Sequence, residues 1–168
     1  IGRRIIVAAG ATGNHEKALE YYKIAEADDE DNLHIQANIG HCFLSLGEYE
    51  NALNKYFKVE YYDPDNIKAM RPIAWCSFVL GKFETSEKYF IKILSGKAEA
   101  YDYINYGHVL FCMGEKMRSV DMYLKAVEMT DIKAFEQNVN DDRDHMLKHG
   151  IENTDIDMLI DYVKSKLI

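Results

Sequence analysis

Proline is scarce in this chain: Pro64 and Pro72 are the only two among 168 residues. Each internal proline removes a helical hydrogen bond and crowds the turn before it, so the scarcity suits a chain built largely from helices. No run reaches the roughly 18 apolar residues that a membrane-crossing helix needs, and no membrane partner is expected. Basic side chains are in deficit, with Lys+Arg 20 against Asp+Glu 28 and a formal net charge of -8. That balance argues against nucleic acid as the main partner, because phosphate binding draws on a cationic surface. Cysteine is limited to Cys42, Cys76 and Cys112, an odd number without paired spacing. Such usage is no disulfide framework; it suits a reducing compartment, and a cytoplasmic location is expected. Tryptophan occurs once, at Trp75. The chain opens on Ile1 rather than methionine, as expected of a trimmed fragment or a processed product, which leaves open whether a targeting segment preceded it.

What the chain does have is a period. Gly13, Gly47 and Gly81 are 34 residues apart, and Gly114 follows after 33. A repeat of that length signals helix pairs stacked into a solenoid. Ahead of each glycine stands a small residue in three copies, Gly40, Ala74 and Gly107, with Ile6 in the first. After each glycine come Ala18, Ala52, Ser86 and Ser119, then one turn later Tyr22, Tyr56, Phe90 and Tyr123, then Ala25, Val59, Ile93 and Ala126. Small residues admit a neighbouring backbone, and the large ring on the same helical face fills the gap between helices. Cys42 and Cys76 share one repeat position and are expected to be small packing residues. Equivalent positions of adjacent repeats lie too far apart to be joined by a disulfide.

These residues carry a resemblance to the tetratricopeptide repeat family. In that family a first helix bears a small residue at its crossing point, a glycine turn follows, and a second helix bears alanine, an aromatic and alanine, often closing on proline. Ile39-Gly40 through Leu46-Gly47-Glu48-Tyr49, then Ala52, Tyr56 and Asp63-Pro64, resembles nearly the whole unit. The resemblance implies an all-α fold, a right-handed α-α superhelix of helix hairpins. Repeats are expected over residues 1–131, as a partial copy at 1–32 and fuller ones at 33–66, 67–99 and 100–131, with C-terminal capping helices over 132–168. His15 and Lys116 depart from the aromatic that usually follows the turn, and Asp131 stands where proline often closes the repeat.

In the resembling family the first helix of each repeat lines a concave groove that receives a protein or peptide. Carried onto this sequence, the groove residues are Asn38, His41, Lys68, Arg71, Trp75, Phe78, Tyr101, His108 and Phe111, with His34 and Ala37 on the same face. The expected first helices carry little acid: His34 to Leu46 has none, and Ile67 to Leu80 has only the cations Lys68 and Arg71. A mildly basic apolar surface inside an acidic shell suits a segment with aromatic or aliphatic side chains and a carboxylate. Chaperone-binding members clamp a terminal carboxylate with five donors. Here those places fall on Arg3, Val7, Asn38, Lys68 and Pro72, and Val7 and Pro72 supply no donor. The expected function is therefore protein binding in the groove. The alternatives are a secretion-type chaperone or adaptor for an export client, and a self-assembly module that would form a homodimer.

Other readings find less support. Ile5 to Gly13 imitates a strand entering a glycine-rich phosphate loop, the remote dinucleotide-binding alternative. The third glycine of that fingerprint would be Glu16, whose charge opposes phosphate, and the repeat register already accounts for Gly13. No cofactor or metal is expected, since His34 and His41 stand two turns apart. No enzymatic activity is expected either: His108 and Cys112 share a helical face, yet no oxyanion site or third orienting group can be named. Pro72 predicts a late start or a bend in its helix. Beyond Asp131 a helix is expected from Ile132 to about His149, closed by Gly150. Another, capped by Thr154 or Asp155, is expected to bury Ile156, Leu159, Ile160, Val163 and Leu167.

Overall fold

The computed structural model describes residues 14–167, and these form ten helices with no strand among them. Ile6 and the segment from Ile5 to Gly13 lie outside the described residues. The chain divides into two compact units, one ending at Leu80 and the other beginning at Gly81.

In the first unit, α1 (His15–Asp28), α2 (Leu33–Ser45), α3 (Tyr49–Tyr62) and α4 (Ile67–Val79) pack each against the next. Asparagine side chains start three of them: Asn14 accepts from the Lys17 amide, Asn32 from His34 and Ile35, and Asn66 from Lys68. Each satisfies amides that the first helical turn leaves without partners. Between α2 and α3 the chain turns at Gly47, whose φ of 75° is left-handed, and the Glu48 amide reaches back to the Phe43 carbonyl at 2.9 Å. Such a helix ending favours glycine because any Cβ strains there.

Pro72 does not delay α4, contrary to the sequence expectation. The helix begins at Ile67 and is continuous to Val79. Asn66 fixes the start, its side chain accepting from Lys68 at 3.0 Å and its carbonyl from Ala69 and Met70 at 2.9 Å each. Proline then deletes only one bond, to the carbonyl one turn earlier, and the neighbouring bonds hold the helix.

In the second unit, α5 (Phe83–Leu94), α6 (Ala100–Cys112) and α7 (Lys116–Met129) are followed by α8 (Ile132–Asp141), α9 (Arg143–Lys148) and α10 (Asn153–Ser165). Helices α6 and α7 form a hairpin that turns at Gly114, φ 83°, and α8 and α10 both pack on α7. The helix expected over 132–149 is split at Asp142. Arg143 explains the break: its guanidinium donates to Asn140, to Asn153 and to Asp157, pinning the end of α8 to the start of α10. Gly150 ends α9 as expected, with φ 83°. Helix α10 starts earlier than expected, with Glu152 as its N-cap residue and Thr154 inside the first turn. Ile156, Leu159, Ile160 and Val163 are buried, whereas Leu167 is exposed because the helix ends before it.

Small-to-large packing organises both units. Ala18, Ala52, Ser86 and Ser119 are fully buried, as are the rings of Phe90 and Tyr123. A Cβ built on Gly40 would stand 3.1 Å from the Tyr56 ring, and one on Gly107 only 2.4 Å from the Tyr123 ring. Polar clusters tie three helices in each unit. In the first, buried Gln36 donates to Glu26 at 2.9 Å and to the Glu30 carbonyl at 2.7 Å, and Lys55 pairs with Glu26. In the second, Glu87 accepts from Tyr106 at 2.9 Å and from Arg118 at 2.8 Å. Burial pushes both carboxyls up, but the hydrogen bonds from Lys55 and Gln36 on Glu26, and from Arg118 and Tyr106 on Glu87, outweigh it and hold each below its ordinary value.

Two outcomes follow from this packing. Gly47→Ala meets no neighbour and costs about 1 kcal/mol through backbone strain alone. Gly107→Ala gains about 1 kcal/mol of helix propensity, but its Cβ would stand 2.4 Å from a ring held at its hydroxyl and against Phe135, and overpacking that severe costs about 3 kcal/mol or more, a net loss of about 2 kcal/mol. Urea unfolding should show the larger loss for Gly107→Ala; a stabilised variant would contradict the fit. Because Glu26 and Glu87 are depressed in the folded state, their contribution is present above the ordinary carboxylate range and is lost as pH falls through the depressed values. The unfolding midpoint should therefore drop with acid below that range, and Glu26→Gln with Glu87→Gln should flatten the dependence.

Candidate protein-binding site

Helices α2 and α4 of the first unit present one face. Asn38, His41 and Lys68 are exposed on it, Arg71 and Trp75 half-buried. Phe78 is fully buried and lies behind the indole, ring centroids 5.4 Å apart and tilted by 49°. The His41 ring meets His15 edge-on at 5.7 Å. Between the starts of α2 and α4 a groove of about 530 Å³ is lined by His34, Ala37 and Lys68 among others, three of the face positions expected from sequence.

Neither α2 nor α4 contains an acidic residue, while α1 carries Glu16, Glu20, Glu26 and Asp28 and α3 carries Glu50 and Glu60. Some of the acids of the first unit are consumed internally, Glu26 of α1 by Lys55 and Glu30, in the turn before α2, by Lys58. Lys68 and Arg71 thus belong to a helix without acid, although Asp63 and Asp65, in the connection before α4, line the same groove as Lys68. Of the carboxylate-clamp places, Asn38 and Lys68 are both solvent-facing, Pro72 has no donor to give, and Arg3 and Val7 lie outside the described residues.

The second unit treats its three expected positions differently. Tyr101 is exposed at 39%, but Phe111 and His108 are buried. The His108 imidazole is a core group: Nδ1 is 2.9 Å from the Tyr123 hydroxyl and Nε2 is 3.5 Å from an Asp142 oxygen. Burial raises the Tyr123 phenol well above its usual value, so that hydroxyl is protonated and available to the imidazole. The resemblance placed His108 on the groove side of α6; here Tyr123 meets its Nδ1 and Asp142, just past the end of α8, lies against its Nε2, whereas the same glycine–tyrosine pairing at Gly40 and Tyr56 leaves the equivalent His41 exposed. A site the sequence reading did not name lies along α7 and α10, where Met117, Met158 and Tyr162 are exposed around a groove of about 340 Å³. Its signal was the spacing of Asp155, Met158, Leu159 and Tyr162, four residues on one helical face of which only Leu159 turns inward.

Thiol chemistry has no support at Cys112. Burial pushes its thiol up to about 12, and Cys76 likewise to about 12, leaving almost no thiolate at neutral pH. The adjacent imidazole is directed at Tyr123 and Asp142. Among the described residues no group of three potential ligands is arranged to hold a metal ion, and no helix is long and apolar enough to cross a membrane. All three cysteines are free. A thiol reagent at pH 7 should label the folded protein at least tenfold more slowly than the unfolded chain; rapid selective labelling of Cys112 would show that its burial is not what governs it.

A family model described as tetratricopeptide repeat matches residues 33–66, the span of α2 and α3 with their connections. Among solved structures, the fold is similar to that of a MamA RS-1 ArsTM double mutant, with a TM-score of 0.74 at 18% identity over 98% of this chain and 95% of that one. It is also similar to MamA 41-end from Desulfovibrio magneticus RS-1, TM-score 0.74 at 19% identity over 94% and 92% of the two chains. A further MamA crystal structure gives 0.73 at 18% identity over 99% and 91%. No curated protein shows a significant match in sequence. At these identities the likeness is one of fold. The chain carries a tetratricopeptide repeat at residues 33–66, and its helices have the all-α hairpin fold of those tetratricopeptide-like solenoids.

Proposed function

We propose that this chain is a protein-interaction module that takes a segment of another protein on the face of α2 and α4, around Trp75. The observation that carries the reading is the segregation of charge and aromatic surface: a half-buried lone indole stands with Lys68 and Arg71 on two helices that contain no acid. A large ring beside cations gives a partner both an apolar anchor and an electrostatic register. The favoured segment bears an aromatic or aliphatic side chain for Trp75 and carboxylates for Lys68, with Asn38 and His41 as polar contacts along its path. Residues 132–167 then serve as a cap whose buried stripe closes the repeats. Three free cysteines suit a reducing, cytoplasmic setting for such a module.

Fluorescently labelled peptides of equal length test the reading: one rich in acid and aromatic residues, one with the acids replaced by lysine. The acidic peptide should bind more tightly, and Trp75→Ala or Lys68→Glu should weaken it about tenfold or more without altering helix content. Equal affinity for both peptides, or binding indifferent to both substitutions, would overturn it. Sedimentation at rising concentration separates the alternative of a homodimer formed through this face.

A further inference from the structure

The groove along α7 and α10 is independent of the face around Trp75. Its floor is made by Phe111, Val120 and Leu159, all nearly inaccessible, while Met117 and Met158 stand 66% and 70% exposed at its sides. Methionine in such a position adapts its three torsions to whatever apolar surface arrives, and its thioether contacts aromatic rings favourably. The groove volume of about 340 Å³ falls at the low end of the range of about 300–1,000 Å³ seen for ligand pockets. Its two walls carry opposite charges: Lys116 belongs to α7 and Asp155 to α10. Among the described residues neither charge is taken up in an ion pair, and Lys116 instead rests over the Phe111 ring, 5.8 Å from its centroid.

We infer that this groove docks an amphipathic helix of a partner protein, one whose apolar stripe is flanked by acid on one edge and base on the other. Past the first turn of α7, the lining backbone is hydrogen-bonded within its own helices. An extended segment would find no ladder to join, whereas a helix satisfies its own amides and needs only an apolar trough. The stripe fills the space between Met117 and Met158 and covers Tyr162. The acidic edge faces Lys116 and the basic edge faces Asp155, and because turning the helix end for end exchanges its edges, this pair of charges selects one direction of docking.

The test uses the whole chain, with its methionine methyl groups isotopically labelled, and a 14-residue helix-forming peptide with leucines on one face, glutamates along one edge and lysines along the other. Saturable binding is expected, with the Met117 and Met158 methyl signals shifting and the Trp75 indole signal unmoved. Met158→Glu should weaken binding at least tenfold while circular dichroism and the melting temperature stay those of the parent, since this side chain is mostly in solvent. A peptide with lysine on both edges should bind severalfold more weakly. The inference is overturned by absence of saturation, by equal binding of a scrambled peptide of the same composition, or by shifts confined to the Trp75 face. It is also overturned if the peptide-free protein self-associates and Met158→Glu abolishes that association, since a second copy would then be the occupant.

Discussion

The structure depends on the meeting of a residue with no side chain and a large ring on the next helix. At Gly107 the Tyr123 ring comes so close that a single methyl group would stand 2.4 Å from it, and at Gly40 the Tyr56 ring takes the corresponding place at 3.1 Å. Dispersion falls steeply with separation, so two helices gain most where their backbones approach most nearly. A hairpin that places glycine opposite tyrosine buries the ring completely and brings its hydroxyl to the far side of the core. In the second unit that hydroxyl meets His108, whose other ring nitrogen faces Asp142, and the imidazole is buried; beside Gly40 and Tyr56 the equivalent His41 stays exposed. Packing and polar satisfaction are thus one event there, since either glycine or tyrosine alone would leave the imidazole without the partner its burial requires.

Charge is handled by the same division of labour between helices. Within the hairpins the acids fall on the second helices far more than on the first, and the clusters of Glu26 with Lys55 and Gln36, and of Glu87 with Arg118 and Tyr106, use some of them as ties between three helices. Depressed carboxyls in these clusters mean that the ties are strongest in the ionised state. The first helices α2 and α4 are left free of acid, and that leaves Lys68 and Arg71 without carboxylates on their own elements. This pair of acid-free helices arises from where the acids are kept rather than from an excess of cations, in a chain whose net charge is -8.

The end of the chain departs from regular hairpins for a local reason. Arg143 bonds to Asn140, Asn153 and Asp157, so the chain folds back sharply between α8 and α10. This return lays α10 on α7 with Leu159 inward and Met158 and Tyr162 outward. A cap with a polar outer side would have closed the surface; here methionine and tyrosine keep it open beside Phe111 and Val120.

Periodicity alone was enough to identify helix hairpins, the buried small and aromatic positions from Ala52 to Ala126, and the glycines of the turns, because each recurs at a fixed spacing along the chain. The resemblance, not the period, singled out Asn38, His41, Lys68 and Trp75 on the first helices; Asn38, His41 and Lys68 are exposed and Trp75 is half-buried. Sequence reasoning failed for the late helix start expected from Pro72, which an asparagine cap at Asn66 overrides, and for the break at Asp142, where the Arg143 guanidinium bonds across the turn. Only the tertiary structure could decide that Phe78 backs Trp75, that His108 is turned inward by Tyr123, and that Met117 and Met158 border a common groove. Each of those outcomes depends on what the neighbouring helix brings to the contact, and spacing within a single helix carries no record of it.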